Sequence, residues 1–208
     1  MSAPRRLVLA SNNPGKLAEF ARLLAPLHFD VVPQGALGVS ESEEPHLTFL
    51  ENALTKARHA SQATGLAALA DDSGICVDAL DGAPGVHSAR FGGEPRSDSR
   101  NNEALIKALK GKRVRTAHYA CVLVLARHAN DPEPLVAIGQ MAGVIVDTPR
   151  GQNGFGYDPY FLLPALGRTV AELSPSQKDR ISHRARAMRR LVALLQSEAA
   201  DLARGQGR

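Results

Sequence analysis

The feature that most constrains this chain is the way short apolar runs alternate with longer amphipathic ones. Arg6 to Ala10 has the pattern of a buried strand. Leu17, Phe20, Ala21 and Leu24 follow at helical spacing, which predicts a helix from about Pro14 to Leu27. Asp30 to Pro33 is a short second strand, and residues 34–47 form a loop rich in Gly, Ser and Glu. Thr48 and Glu51 make a capping box that starts a second helix. Its apolar stripe is Leu50, Ala53, Leu54 and Ala57, and Gly65 ends it. Leu66 to Ala70 is a strand that runs into Asp71-Asp72-Ser73-Gly74, and Ile75 to Leu80 alternates like another strand. Ser97 to Leu109 is helical in pattern. Ala117 to Arg127 and Leu135 to Val146 are long strand candidates, and the short linker between them predicts an antiparallel pair. A last helix starts at a second capping box, Ser176 and Asp179, and continues through Ile181, Ala185, Met188, Val192 and Leu195. The alternation predicts an α/β fold with a mixed sheet. No linker divides it, so residues 1–208 are expected to form a single domain.

Composition excludes several function classes. Hydrophobic residues are 44% and charged residues 22%, which argues against disorder. The two cysteines, Cys76 and Cys121, are too few for a disulfide scaffold and read as buried free thiols in a reducing compartment. The longest apolar run, Ala120 to Ala126, is far short of the roughly 20 residues of a membrane helix. The apolar stretch after Arg5-Arg6 stops at Ser11, too early for a signal peptide, so a cytoplasmic protein without membrane contact is expected. A net charge of +4 fits an anionic small ligand as well as a nucleic acid. Aromatics at 4%, with no tryptophan, argue against a stacking platform for single strands.

Six segments could carry chemistry. Ser11-Asn12-Asn13-Pro14-Gly15-Lys16 joins a strand to a helix, where free N–H groups and the dipole favour an anion. It is not a Walker A loop, which needs Gly where Ala10 stands and Ser or Thr where Leu17 stands. A capped helix start with a solvated lysine is the alternative. Asp71-Asp72-Ser73-Gly74, at the end of a strand, offers adjacent carboxylates that suit Mg²⁺, or simply an Asx turn. One carboxyl of such a pair is expected to titrate high unless a cation sits beside it. Glu41-Ser42-Glu43-Glu44 is either a solvated acidic loop or the completion of that metal site. Lys56 lies one turn after Asn52 on a polar helix face. Gly154-Phe155-Gly156-Tyr157-Asp158-Pro159 could clamp a planar base or form a tight turn. Ser182-His183-Arg184, with Lys178, could hold an anion or a keto oxygen, or belong to a basic helix surface.

Taken in order, these segments, together with Thr48-Phe49-Leu50-Glu51-Asn52-Ala53, Lys56-Ala57 and Gly82-Ala83-Pro84-Gly85-Val86 with Ser88-Ala89-Arg90, resemble the inosine/xanthosine triphosphate pyrophosphatases. The likeness runs from Leu7 to about Leu195, with Pro45-His46 standing where that family usually has Thr-Gly. The resemblance implies a two-lobed α/β fold, its central mixed sheet flanked by helices, with a substrate cleft between the lobes. It also implies a homodimer and hydrolysis of ITP, dITP and XTP to the monophosphate and pyrophosphate. Asp72 would be the general base and a Mg²⁺ ligand, with Glu43 or its neighbour Glu44 the second metal carboxylate. Ser11, Asn12, Asn13, Pro14, Gly15 and Lys16 would bind the triphosphate, with Lys56 neutralising charge and Ser73 bonding substrate beside the base. Phe155 would stack on the purine. Gly156, Tyr157, Asp158, Lys178, His183 and Arg184 would complete the base pocket.

A non-catalytic nucleotide-binding module and an RNA-binding protein using the basic C-terminal helix are the competing classes. Carboxylates set near phosphates argue against the first, and the second requires steep salt dependence.

Overall fold

The computed structural model describes residues 5–24 and 29–205. Its strands are β1 (Arg5–Leu9), β2 (Phe29–Pro33), β3 (Ala67–Val77), β4 (Thr116–Ala126), β5 (Leu135–Ile145), β6 (Phe161–Leu163) and β7 (Arg168–Thr169). The helices are α1 (Pro14–Leu24), α2 (Phe49–Thr64), α3 (Asp98–Ala108), α4 (Pro175–Ile181) and α5 (His183–Gly205). The expected end of the first helix near Leu27 lies outside the described residues. Among those residues, no helix is long and apolar enough to cross a membrane.

One mixed sheet in the order β2-β1-β3-β4-β5-β6-β7 forms the centre. The pairs β1–β2 and β1–β3 are parallel. The pairs from β3 to β7 are antiparallel, including the expected β4–β5 hairpin.

Helices cover both faces. On one face, Val8, Ala10, Ala68, Ala70, Val122 and Val124 pack against Ala53, Ala57 and Ala60 of α2. Alanines on both sides let this helix lie close to the sheet. Of the expected stripe, Ala53, Leu54 and Ala57 turn inward and Leu50 is exposed, while Asn52 and Ser61 are also buried. On the other face, Leu7, Leu9, Leu69 and Leu123 pack against Phe20 and Leu24 of α1 and Met188 and Leu191 of α5. With α1 and α2 on opposite faces of β1, a crevice opens at the carboxyl end of β1 beside the middle of β3, the switch point where open α/β sheets bind ligands.

Three local expectations are corrected. Asp71-Asp72-Ser73-Gly74 is neither a turn nor a strand end. It lies inside the continuous strand β3, paired residue by residue with Leu123 to Ala120 of β4. The ladder supplies backbone bonds that an Asx turn would otherwise provide. Residues 78–80 leave the strand as a 3₁₀ turn. The last helix is two helices, and the capping box before α4 is Ser174 with Gln177, not Ser176 with Asp179. Ser182 caps the end of α4 in extended conformation, and its hydroxyl accepts the Ala185 N–H of α5. The Thr48 hydroxyl does accept the Glu51 N–H, but it also donates to the Glu51 carboxylate, so this cap turns back on itself.

Close backbone approach fixes α5 on the sheet. A Cβ on Gly139 of β5 would lie 2.1 Å from the His183 carbonyl oxygen and 2.4 Å from the Ala187 nitrogen. Gly139→Ala should therefore lift the first turn of α5. Overpacking of this kind costs about 1–3 kcal/mol, a lowered melting temperature that thermal denaturation will read.

Candidate active site

The strand pleat sends Asp71 and Asp72 to opposite faces of β3, each to its own cations. Lys16 Nζ of α1 lies 2.7 Å from Asp71. Arg184 of α5 lies 3.4 Å from the same carboxylate, and it also pairs with Glu19 at 2.8 Å and donates to Ser73 Oγ at 2.8 Å. Asp72 faces α2: Lys56 Nζ is at 3.0 Å, and Asn52 donates to it at 3.4 Å.

The two carboxyls titrate apart. Burial pushes Asp71 up, but Lys16, Arg184 and Lys56 together outweigh it and hold it well below the usual carboxylate range. Burial also pushes Asp72 up. There the lysines do not fully offset it, and Glu44 adds to the rise, so Asp72 is the more basic of the pair.

Of the acidic loop, Glu44 enters the site and Glu43 does not. Glu44 lies 2.9 Å from Lys56 Nζ and 3.4 Å from Arg90, whereas Glu43 is exposed and forms no part of the cavity wall. Burial raises the Glu44 carboxyl, and Lys56 and Lys16 more than reverse this, so its pKa is lowered. The loop is held by Asn52, whose amide accepts the His46 N–H at 3.0 Å and donates to the His46 carbonyl at 3.2 Å. The His46 ring reaches Thr55 Oγ1 at 3.0 Å.

Ser11, Asn12, Asn13 and Lys16 line the cavity. Asn13 caps the turn by accepting the Lys16 N–H at 3.0 Å. Pro14 and Gly15 are not cavity lining. Pro14 is the exposed first residue of α1, and Gly15 lies under the Phe155 ring, where a Cβ would approach to 2.8 Å.

Against this turn stands Phe155, with Lys178 Nζ 4.5 Å from its ring centroid and the Arg184 guanidinium at 5.4 Å. Gly156, Tyr157 and Asp158 also line the cavity. Asp158 is 2% exposed and already engaged: Tyr119 donates to it at 3.1 Å, the Phe155 N–H at 3.1 Å and Lys178 at 2.7 Å. It therefore orients Phe155 and Lys178. Burial and the charge of Asp158 hold the Tyr119 hydroxyl protonated, so it remains a donor. His183 stacks on Tyr119 with centroids 4.8 Å apart, and its buried Nδ1 has no hydrogen-bond partner. Burial, Arg184 and Lys178 push its pKa well below the usual histidine value, so the ring is neutral near pH 7.

Several supporting residues carry no sequence motif of the usual kind. Glu19 anchors Arg184 from the buried side of α1. Asp98 accepts the Gly156 N–H at 2.6 Å while Asn102 donates to the Gly156 carbonyl at 2.9 Å, so α3 grips the loop that carries Phe155. Asn101 binds the Gly92 N–H and the Ala89 carbonyl. The one available signal is two consecutive asparagines inside α3, where asparagine has poor helix propensity. Cys121 is buried and Cys76 half-buried, both as free thiols.

Fold and site together define an α/β protein with a cavity at the switch point, lined by several cations and by an aromatic ring on which two of them sit. The chain belongs to the Ham1 family, whose pattern matches residues 7–194. It is 63% identical over 194 residues to the dITP/XTP pyrophosphatase of Ralstonia nicotianae, covering 92% of this chain and 96% of that one. It is 62% identical over 190 residues to the protein of the same name from Nitrosomonas europaea, covering 91% and 94%. The HAM1 protein from Coxiella burnetii superposes with a TM-score of 0.87 at 45% identity, covering 93% of this chain and 99% of that one.

Asp71 and Asp72 are expected to differ in what they support. Asp71→Asn leaves Arg184 and Lys16 short of a buried counter-charge, a loss of about 3–5 kcal/mol by analogy with broken buried pairs. Because its folded pKa is depressed, the Asp71 contribution is complete above the unfolded carboxyl pKa and is lost only as pH falls through the lower folded value. Asp72→Asn removes a charge that burial disfavours, but it also takes one of the two carboxylates from Lys56 and leaves Glu44, so it should cost less than Asp71→Asn. Urea denaturation of both variants checks the contrast.

Proposed function

We propose that this chain hydrolyses deaminated purine nucleoside triphosphates, ITP, dITP and XTP, to the monophosphate and pyrophosphate. The observation that carries the reading is the division of the adjacent carboxyls: both line the cavity, but Lys16 and Arg184 hold Asp71 acidic, while Asp72, paired with Lys56, has a raised pKa. Relatives more than 60% identical that bear the name dITP/XTP pyrophosphatase support it. So does the resemblance of the motifs.

In this reading the purine lies on Phe155 and the triphosphate runs past Asp72 towards Ser11 to Lys16. Asp72 accepts a proton from a water molecule as its oxygen bonds to the α-phosphorus. The bond from that phosphorus to the α,β-bridging oxygen breaks, and the electron pair leaves with pyrophosphate. Lys16 and Lys56 balance the charge that develops on the leaving group. Ser73, fixed by Arg184, bonds the substrate beside Asp72.

The donor chemistry fits Mg²⁺. Asp72 and Glu44, from separate segments, already converge on one cation, Lys56 Nζ, at 3.0 and 2.9 Å. Among the described residues, no group of three or more His, Cys, Asp or Glu could hold a metal ion. Substrate phosphates and water would therefore complete the shell, as Mg²⁺ usually requires. When bound, the ion would neutralise phosphate charge and polarise the α-phosphoryl group.

Base selection follows from donors. Hypoxanthine and xanthine present a 6-keto oxygen where adenine presents an amino group. Neutral His183 has one ring N–H and Arg184 only donors, so both suit the keto oxygen and meet N–H on adenine. Unpaired buried donors of this kind reject a wrong substrate by about 10²–10⁵. The reading carries with it the homodimer that the resemblance implies.

Pyrophosphate release from ITP, XTP, dITP, GTP and ATP with Mg²⁺ tests the reading. Rapid release from ITP, dITP and XTP, slow release from ATP and loss of activity with EDTA are expected. Equal turnover of ATP would remove the base pocket, and full turnover without metal would remove Mg²⁺.

Asp72→Asn should lower kcat by roughly 10²–10⁴, the range of general-base effects, while ITP still binds by calorimetry. A base must be ionised to act, and the Asp72 pKa is raised. The acid limb of kcat/KM should therefore fall away above the ordinary aspartate range.

A further inference from the structure

Gln34 is a buried polar side chain in the cavity that neither the fold nor the proposed chemistry uses. It follows β2 directly and opens a 3₁₀ turn, Gln34–Leu37, in which its own carbonyl accepts the Gly38 and Val39 N–H groups. The residue is 4% exposed and forms part of the cavity wall. Its carboxamide makes no hydrogen bond to any described residue. The other buried amide in the wall, Asn101, is fully occupied by Gly92 and Ala89. The Gln34 amide is not among the fully buried polar atoms left without a partner, so it reaches the open space of the cavity, where a ligand can meet it.

The strand order says which part of a ligand it meets. Reading across the sheet, β4 carries Tyr119, β3 carries Asp72, the Ser11–Lys16 turn follows β1, and Gln34 follows β2. Neighbouring strands are about 4.8 Å apart. Gln34 therefore stands beyond the phosphate-binding turn, on the side away from Tyr119. Gly35 beside it lies against Asn12, where a Cβ would be 2.8 Å from the amide oxygen.

We propose that Gln34 is a substrate-binding residue whose amide N–H bonds the terminal phosphoryl oxygens of the triphosphate and so holds pyrophosphate as it leaves. This deepens the proposed function and rests on its orientation of the nucleotide. A neutral donor suits that position. It orients the tail without adding a charge that would hold the product after cleavage.

The test uses the full chain with Gln34→Met, which keeps length and volume but removes the amide, and Gln34→Glu, which replaces a donor with an anion. Pyrophosphate and IMP are the probes, each titrated by calorimetry and as an inhibitor of ITP hydrolysis. Gln34→Met should weaken pyrophosphate binding about tenfold, the scale of a hydrogen bond to a charged group. IMP binding should stay within about twofold, the scatter of a neutral change. Gln34→Glu should weaken pyrophosphate further. Unchanged pyrophosphate binding in both variants overturns the proposal. Equal weakening of IMP and pyrophosphate also overturns it, because that pattern belongs to a structural role. Should one variant fail to fold, the other still gives the ratio of the two affinities. Should the native chain release no pyrophosphate from ITP, the proposed function fails, while direct pyrophosphate titration still decides whether Gln34 binds it.

Discussion

Two adjacent carboxylates in the middle of a sheet can coexist only because the pleat separates them and each face supplies its own cations. In this chain the separation organises the molecule. Asp71 draws Lys16 from α1 and Arg184 from α5 to one face, and Asp72 draws Lys56 from α2 to the other. Three helices are thereby tied to one strand at the same level. The interactions that hold the scaffold also set the electrostatics of the cavity. One carboxyl is driven acidic by its close cations, while its neighbour is raised by burial that Lys56 and Lys16 do not fully offset, with Glu44 adding to the rise.

The loops around that strand are held by polar side chains that treat the backbone as a partner. Asn52 takes both the N–H and the carbonyl of His46, and so sets Glu44 next to Lys56. Asp98 and Asn102 divide the same task at Gly156, one residue from the aromatic platform. Each clamp satisfies backbone groups that a helix or sheet would otherwise satisfy, which lets irregular segments stand beside a buried site. Glycines supply the complementary freedom. Gly15 admits the Phe155 ring, and Gly139 admits the start of α5. The position of His183 and Arg184 is thus a packing result before it is a chemical one.

Much of the architecture was legible from periodicity and caps. The starts of α2 and α3, the long β4–β5 hairpin and the mixed character of the sheet all follow from apolar spacing and turn residues near in sequence. The segments singled out in the sequence do meet: the turn after β1, the acid pair, the Phe155 loop and the pair His183-Arg184 line one cavity, while Ser182 is buried behind it. Errors arose where distant parts compete with local preference. Asp-Asp-Ser-Gly has turn composition, yet ladder pairing with β4 keeps it extended. Ser182 falls inside an apolar helical period, yet it takes an extended conformation with Glu19 accepting from its hydroxyl.

Sequence alone determined which chemical groups this protein owns and in what order, because strand and helix periods and capping residues are local properties. It could not decide between Glu43 and Glu44, since the choice depends on how the acidic loop is pinned by Asn52 and on which carboxylate then meets Lys56 and Arg90. Local pattern also left Asp71 and Asp72 alike, and only the family resemblance singled out Asp72. Their side chains are identical, and only the face each one takes, with the helix that covers that face, decides which cations each one meets and so which way its pKa moves. Gln34, too, is an ordinary loop glutamine until the order β2-β1-β3 brings it into the cavity wall. Burial and charge pairing are sums over contacts far apart in the chain, so tertiary structure assigns the roles that composition and spacing only make available.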